Sequence, residues 1–282
     1  MVLPYSELMN LEREFTCAWD ERDVMIYALA LGLPTDPFDE RQLVYVYEKN
    51  LAVLPTFLST VVLGHTPIAH AGINYATVLH GEQDVIVHKP FPPRGEAVVR
   101  SRMVGAWDKG AGKGSVFADS SDLYLSGDDE PFATIHNAAF GRSESGFGAP
   151  TDGQPAPRKV PERAPDRTIT VPTLRQQALL YRQTGDLNPL HVDPAAARAV
   201  GFREPILHGL CTYGICQRAI LGEFGGYAPG SIRRFAVRFA GIVYPGETLR
   251  LDLWQDGKDI AFEAWSVERE SKVIANGLAV LA

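Results

Sequence analysis

The stretch Leu207-His-Gly-Leu-Cys-Thr-Tyr-Gly-Ile-Cys-Gln-Arg-Ala-Ile220 reads as a helix rich in small residues. Small side chains let a helix lie close inside a curved sheet, and the residues that follow supply the strands for one. Strand character runs over roughly Ile232 to Ala240, Thr248 to Trp254, Asp259 to Val267 and Lys272 to Leu281, joined by turns at Tyr244-Pro-Gly-Glu247 and Gln255-Asp-Gly-Lys258. Leu249, Leu251 and Leu253 alternate with Arg250, Asp252 and Trp254, which gives an antiparallel strand one buried face. Helices followed by such a meander suit an α+β unit in which a sheet wraps around one helix.

Upstream of the helix, Tyr181-Arg-Gln-Thr-Gly-Asp-Leu-Asn-Pro-Leu-His191 sets a carboxylate and an imidazole five residues apart around a forced turn. Thr173-Leu-Arg-Gln176 reads as a capping box for a helix with Leu174, Ala178 and Tyr181 on one face, and Gly185 as its stop. Asn188-Pro189 makes continued helix unfavourable, because proline disfavours helical geometry at the residue before it. Asp193-Pro194 then reads as the N-cap and first position of a helix over Ala195 to Val200, with Gly201 as its end. Asp186 and His191 are thus expected on a loop pinned by helices at both ends. An acid and a base that converge on one small volume can hold a water and move two protons.

The same order of elements is written earlier in the chain. Asp20 caps a helix with Val24, Tyr27 or Ala28, and Leu31 on its stripe, and Gly32 as its stop; the glycines at 32 and 185 are 153 positions apart. Leu54-Pro-Thr-Phe57 falls against Leu207-His-Gly-Leu210 at the same offset, a second helix is expected after each, and Gly95-Glu96 falls near Gly246-Glu247 with a drift of two. At this offset Leu33 and Phe38 occupy the places of Asp186 and His191, so the first copy cannot perform the same acid–base work. Between the copies, Gly and Pro collect (Gly146, Gly148, Pro150, Gly153, Pro155, Pro157, Pro161, Pro165) with few large apolar residues. The expected organisation is an N-terminal half over 1–145, a linker over 146–167 and a C-terminal half over 168–282.

With 282 residues, 45% hydrophobic and 22% charged, the chain can bury a sizeable core. Its formal net charge of -7 and the absence of a dense Lys/Arg run argue against nucleic-acid binding. Cys17, Cys211 and Cys216 form no CxxC pair and leave an odd thiol, which disfavours a disulfide framework or structural zinc and suits a reducing cytoplasm. No apolar run approaches membrane-spanning length, and neither end carries a secretory or peroxisomal signal pattern.

Gly185-Asp-Leu-Asn-Pro-Leu-His191 followed by Pro205-Ile-Leu-His-Gly-Leu-Cys-Thr-Tyr-Gly214 resembles the hydratase 2, or MaoC-like, family of R-specific enoyl-CoA hydratases. The likeness extends into the first half through Glu21-Arg-Asp-Val24, Val53-Leu-Pro-Thr-Phe57, Leu79-His-Gly-Glu-Gln83 and Asp108-Lys-Gly110, so it covers nearly the whole chain. Taken alone, Gly-Asp-Leu-Asn-Pro is a turn whose Asp and Asn bond their own backbone. The histidine at its spacing and the second motif turn the reading to catalysis.

The resemblance implies a tandem double hot-dog fold, antiparallel sheets each wrapped around a central helix. It implies hydration of trans-2-enoyl-CoA to (R)-3-hydroxyacyl-CoA in β-oxidation of fatty acyl or steroid side chains. Asp186 and His191 would be the acid–base pair, Asn188 would orient the pair or the water, and the Gly209 amide would be the oxyanion donor. His80, Gly81, Lys109, Leu187, Pro189, Leu190 and Phe239 would contact the acyl-CoA thioester, the first half having become a substrate-binding half. Leu58 to Leu63 and Ile68 to Val78 are candidates for the acyl wall. The Lys109 segment, Trp107-Asp-Lys-Gly-Ala-Gly-Lys-Gly114, also reads as an ordinary hairpin turn. His208, Tyr213, Cys211 and Cys216 read as core. No metal or redox cofactor is expected, CoA being part of the substrate; the partner is an acyl-CoA thioester, with no nucleic acid and no membrane, and the assembly a homodimer. Two other readings stay open: a hot-dog acyl-CoA thioesterase and a non-catalytic acyl-CoA-binding subunit.

Overall fold

A computed structural model describes residues 1–74 and 78–282. Ten strands carry the architecture: β1 (Glu12–Trp19), β2 (Val78–Val87), β3 (Gly95–Asp108), β4 (Ser115–Leu125), β5 (Ala133–Gly141), β6 (Arg167–Pro172), β7 (Ile232–Phe239), β8 (Thr248–Asp256), β9 (Asp259–Ser266) and β10 (Ser271–Leu281). They form one antiparallel sheet in the order β1-β3-β4-β5-β2-β7-β10-β9-β8-β6. The two halves meet where β2 pairs with β7, from Glu82 opposite Arg238 to Ile86 opposite Arg234. On this seam Arg234 pairs with Asp84 at 2.6 Å and Arg238 with Glu82 at 3.5 Å.

The helices are α1 (Tyr5–Met9), α2 (Glu21–Ala30), α3 (Glu40–Leu43), α4 (Leu58–Val61), α5 (Pro67–His70), α6 (Gln177–Tyr181), α7 (Pro194–Ala199) and α8 (Gly209–Gly225). In α8 every residue from Leu210 through Arg218 is buried, so this stretch is covered on all sides as a helix inside a curved sheet must be. Leu249, Leu251 and Leu253 are all fully buried, and the Phe235 and Phe262 rings stack at 5.2 Å. Gly214 lets α2 approach: a Cβ there would sit 2.6 Å from a Leu31 methyl and 2.8 Å from the Tyr27 hydroxyl. The α+β double hot-dog expectation therefore holds.

The Asp20 cap forms as a full capping box with Asp23, and Val24, Tyr27, Ala28 and Leu31 are buried beneath it. Asp193 likewise accepts from the Ala195 amide at 2.7 Å to start α7. Two expectations fail. Thr173 caps no helix: its hydroxyl donates to the Glu247 carbonyl and accepts from the Gly246 amide, and α6 begins only at Gln177. A partner brought by the tertiary fold thus displaces the local one, and Leu174 is left 42% exposed rather than on the packed face. The second helix of the first half is also broken, into a 3-10 turn at Pro55–Phe57 followed by α4 and, after Gly64 at φ 79°, α5 starting at Pro67. Proline supplies no amide to continue a helix, and β-branched Thr60, Val61 and Val62 propagate one weakly.

The Gly/Pro-rich 146–167 segment forms no helix or strand except that Arg167 opens β6, which pairs with β8. It is tied down: the Asp108 amide donates to the Pro150 carbonyl at 2.9 Å, and the Trp254 indole to the Arg163 carbonyl at 2.8 Å.

Candidate active site

After α6 and a 3-10 turn at Arg182–Thr184, Gly185 takes φ 117° and releases the chain, a left-handed conformation that side chains resist. The loop then braces itself. The Asn188 amide donates to Asp186 Oδ1 at 3.2 Å, and Asn188 Oδ1 accepts from the Leu190 amide at 3.0 Å, capping the turn Pro189–His191. This is the turn chemistry expected of Asx residues, and here it also fixes where the carboxylate and the imidazole stand.

His191 Nδ1 lies 2.8 Å from the Ile206 carbonyl. A carbonyl can only accept, so Nδ1 carries the hydrogen and Nε2 of the neutral ring is left with the basic lone pair. Burial pushes the His191 pKa down, while the Ile206 carbonyl and the Asp186 carboxylate push it back up. The ring is therefore neutral near physiological pH and able to take a proton. Functional atoms of Asp186, His191 and His208 all lie within 4.8 Å of one another. These three could be suspected of holding a metal. The His191 and His208 rings, however, stack at 3.7 Å with an interplanar angle of 27°, so their in-plane lone pairs do not converge on one ion.

The core reading of His208 holds, and its contacts with the pair are what sequence reasoning did not give. His208 is 1% exposed, its Nε2 lies 3.2 Å from the Asp186 carbonyl, and its ring lies 5.0 Å from that of Tyr181, tilted by 50°. Burial, and then the neighbouring His191, push its pKa down to about 4. The available signal was its place, one residue before the glycine that opens α8.

A cavity of about 410 Å³ is lined by Asp186, Asn188, His80 and Leu210, while His191 lines a separate cavity of about 240 Å³ with Arg175, Ala178 and Pro205. The larger one is also lined by Ser59, Val62, Leu63, Thr66, Ile68 and Ala69 from the broken helix of the first half; with Val78, six residues of the expected acyl wall line it. Residues 75–77 of that wall lie outside the described residues. His80 also lines a smaller cavity of about 240 Å³ with Gly81 and Phe239, its ring 4.8 Å from that of Phe239. Burial pushes the His80 pKa down to about 4 against the Gln83 side chain and the Glu82 backbone. The Phe239 ring in turn lies over Gly209, 3.3 Å from where a Cβ would project. Gly209 opens α8, so its amide is among those with no acceptor inside the helix.

Neither Gly209 nor the remaining expected contacts line the cavity of about 410 Å³. Leu187 is 60% exposed, and neither it nor Pro189 nor Leu190 lines the chamber. Lys109 sits on the β3–β4 hairpin turn, its amide bonded to the Gly114 carbonyl at 2.9 Å, so the hairpin reading describes that segment. Cys211 and Cys216 are buried thiols pushed up in pKa by burial, Cys216 to about 12, and Tyr213 is buried with its hydroxyl donating to the Phe235 carbonyl at 2.6 Å.

A carboxylate that lines the chamber, a neutral imidazole within 4.8 Å of it and a helix amino terminus nearby suit acid–base chemistry on a substrate with a polarised carbonyl. The MaoC like domain family matches residues 154–277, and the MFE-2 hydratase 2 N-terminal domain family matches residues 17–142. Over 267 residues the chain is 39% identical to enoyl-CoA hydratase ChsH3 of Mycobacterium tuberculosis, covering 93% of this chain and 92% of that one. A MaoC-like dehydratase from Phytophthora capsici superposes with a TM-score of 0.85 at 28% identity, covering 98% of this chain and 97% of that one. At 13% identity and a TM-score of 0.60, a conserved hypothetical protein of Mycobacterium tuberculosis described as having a double hotdog fold shares the fold over 99% of both chains. The chain belongs to the MaoC-like, hydratase 2 family of enoyl-CoA hydratases.

Proposed function

We propose that this protein catalyses the reversible hydration of a trans-2-enoyl-CoA to the (R)-3-hydroxyacyl-CoA in β-oxidation. The observation that carries the reading is the Asp186–His191 pair within 4.8 Å, with the carboxylate lining the chamber and His191 Nδ1 tied to Ile206, so that Nε2 keeps the basic lone pair. One water is held between the two side chains. As its oxygen adds to C3, one member takes its proton and the other delivers a proton to C2, while the Gly209 N–H holds the enolate-like thioester oxygen. Asn188 keeps the loop geometry through its Oδ1. Protons and electrons balance between the water, the pair and the double bond, so the scheme calls for no redox or metal group.

The first-half chamber is assigned to the acyl group. A helix broken at Gly64 and Pro67 leaves space that the continuous α8 fills in the second half, which favours bulky acyl chains, steroid side chains included. His80 and Phe239 are assigned to the thioester region. Among the described residues no helix is long and apolar enough to cross a membrane. Three free thiols suit a cytoplasmic setting, and a homodimer is the assembly proposed, which light scattering tests. The functional reading is tested by loss of enoyl absorbance for a panel of trans-2-enoyl-CoAs, from crotonyl to steroid-bearing, with Asp186→Asn in parallel. Release of free CoA from saturated acyl-CoA would point instead to a thioesterase.

A further inference from the structure

Among the groups around the site, His208 is a buried titratable side chain that the hydration scheme does not use. It makes one contact with each member of the pair. Its Nε2 faces the Asp186 main-chain carbonyl at 3.2 Å, and its ring is stacked on that of His191 at 3.7 Å. A carbonyl accepts, so Nε2 carries the hydrogen and donates. His208 is also rigidly placed. It immediately precedes α8, its carbonyl accepts from the Cys211 and Thr212 amides at 3.1 Å, and Leu207 before it bonds the Val243 carbonyl at 2.7 Å. The residue after it is Gly209, the proposed oxyanion donor.

We propose that His208 is a positioning residue: it locks the Asp186 main chain and the His191 ring to the start of α8, so that acid, base and oxyanion donor share one rigid reference. The inference rests on the hydratase reading. Being 1% exposed, His208 touches no substrate and acts through the pair. Its neutrality matters to this role. Around it stand Tyr181 at the end of α6, Arg182 on the following turn, Asp186 and His191, and burial together with the neighbouring His191 keeps the ring uncharged. A cation stacked on His191 would oppose the proton that His191 must accept. The neutral ring instead shields it from water, and so helps to hold its basicity down.

Two variants separate the contacts. His208→Phe keeps a flat ring over His191 and loses the donor to Asp186; His208→Gln keeps a donor and loses the ring. Each is expected to lower kcat by about tenfold to a hundredfold, since small misplacements of catalytic groups cost that much, with KM nearly unchanged. Loss of the ring admits water to His191, so in His208→Gln the acid limb of kcat/KM moves to higher pH. The His191 ring titration followed by NMR moves up with it. The assignment is overturned if both variants keep wild-type kcat and His191 titration, if KM alone changes, or if turnover falls only in proportion to protein unfolded by circular dichroism. An inactive wild type or an active Asp186→Asn would instead remove the functional reading, and the NMR titration would still test the placement of His191.

Discussion

Residues 32–38 and 185–191 follow the same punctuation and end in different chemistry. Gly32 and Gly185 both close a helix with positive φ, at 83° and 117°. The chain after Gly185 places Asp186 and His191 within 4.8 Å of each other, whereas after Gly32 come Leu33, 2% exposed in the core, and Phe38, 88% exposed and away from it. The helix that follows differs in the same sense: 17 residues in α8, and short pieces at 55–57, 58–61 and 67–70 in the first half. A duplicated unit need keep its glycine punctuation to keep the fold, while the side chains on the loop are free to change once one copy holds the chemistry.

The largest effect expected is at the pair itself. Asp186→Asn or His191→Ala should lower turnover by about a thousandfold, within the range for removing a positioned acid or base, with circular dichroism unchanged. Near-normal rates in both would end the distinction between the halves. Transplanting the chemistry breaks the comparison from the other side. Leu33→Asp with Phe38→His, placed in the Asp186→Asn background, should restore no hydration, because residue 33 is in the core and residue 38 points to solvent. A buried carboxylate without a partner should also lower the melting temperature, which a thermal scan reads.

Smaller is the cost of closing the gap between α2 and α8. Gly214→Ala puts a methyl 2.6 Å from Leu31 and should destabilise by about 1–3 kcal/mol in urea unfolding, as overpacking does. Smallest is a shift along the pH axis. Because burial is the leading influence on His191 and pushes its pKa below the ordinary 6.5, the imidazole stays neutral, and competent as a base, to lower pH than a free histidine. The acid limb of kcat/KM should therefore fall below pH 6.5, and a limb at or above 6.5 would contradict the burial seen here.

The second half was the more legible of the two. Its four meander strands end within two residues of their expected limits, because Leu249, Leu251 and Leu253 carry a period of two that only a sheet with one buried face explains. Asp20 and Asp193 were readable because each caps with atoms two or three residues away. Thr173 was misread because its partner, Glu247, comes from 74 residues along the chain. The seam between β2 and β7 was equally out of reach, since a register between segments about 150 residues apart leaves no local pattern. At the candidate site, the motif pointed to Asp186, Asn188, His191 and Gly209, all of them close in sequence to glycines or prolines that declare a turn. The contacts of His208 escaped because they are with a main-chain carbonyl and a ring face, which no spacing encodes.

The seam has a thermodynamic consequence. Were the chain cut within 146–167 and the pieces separated, β2 and β7 would each become a bare edge, inviting pairing with any other strand at hand. Neither half has a stable boundary on that side, so heating should melt the chain in a single calorimetric transition, and pieces expressed separately should be recovered either together or as aggregates.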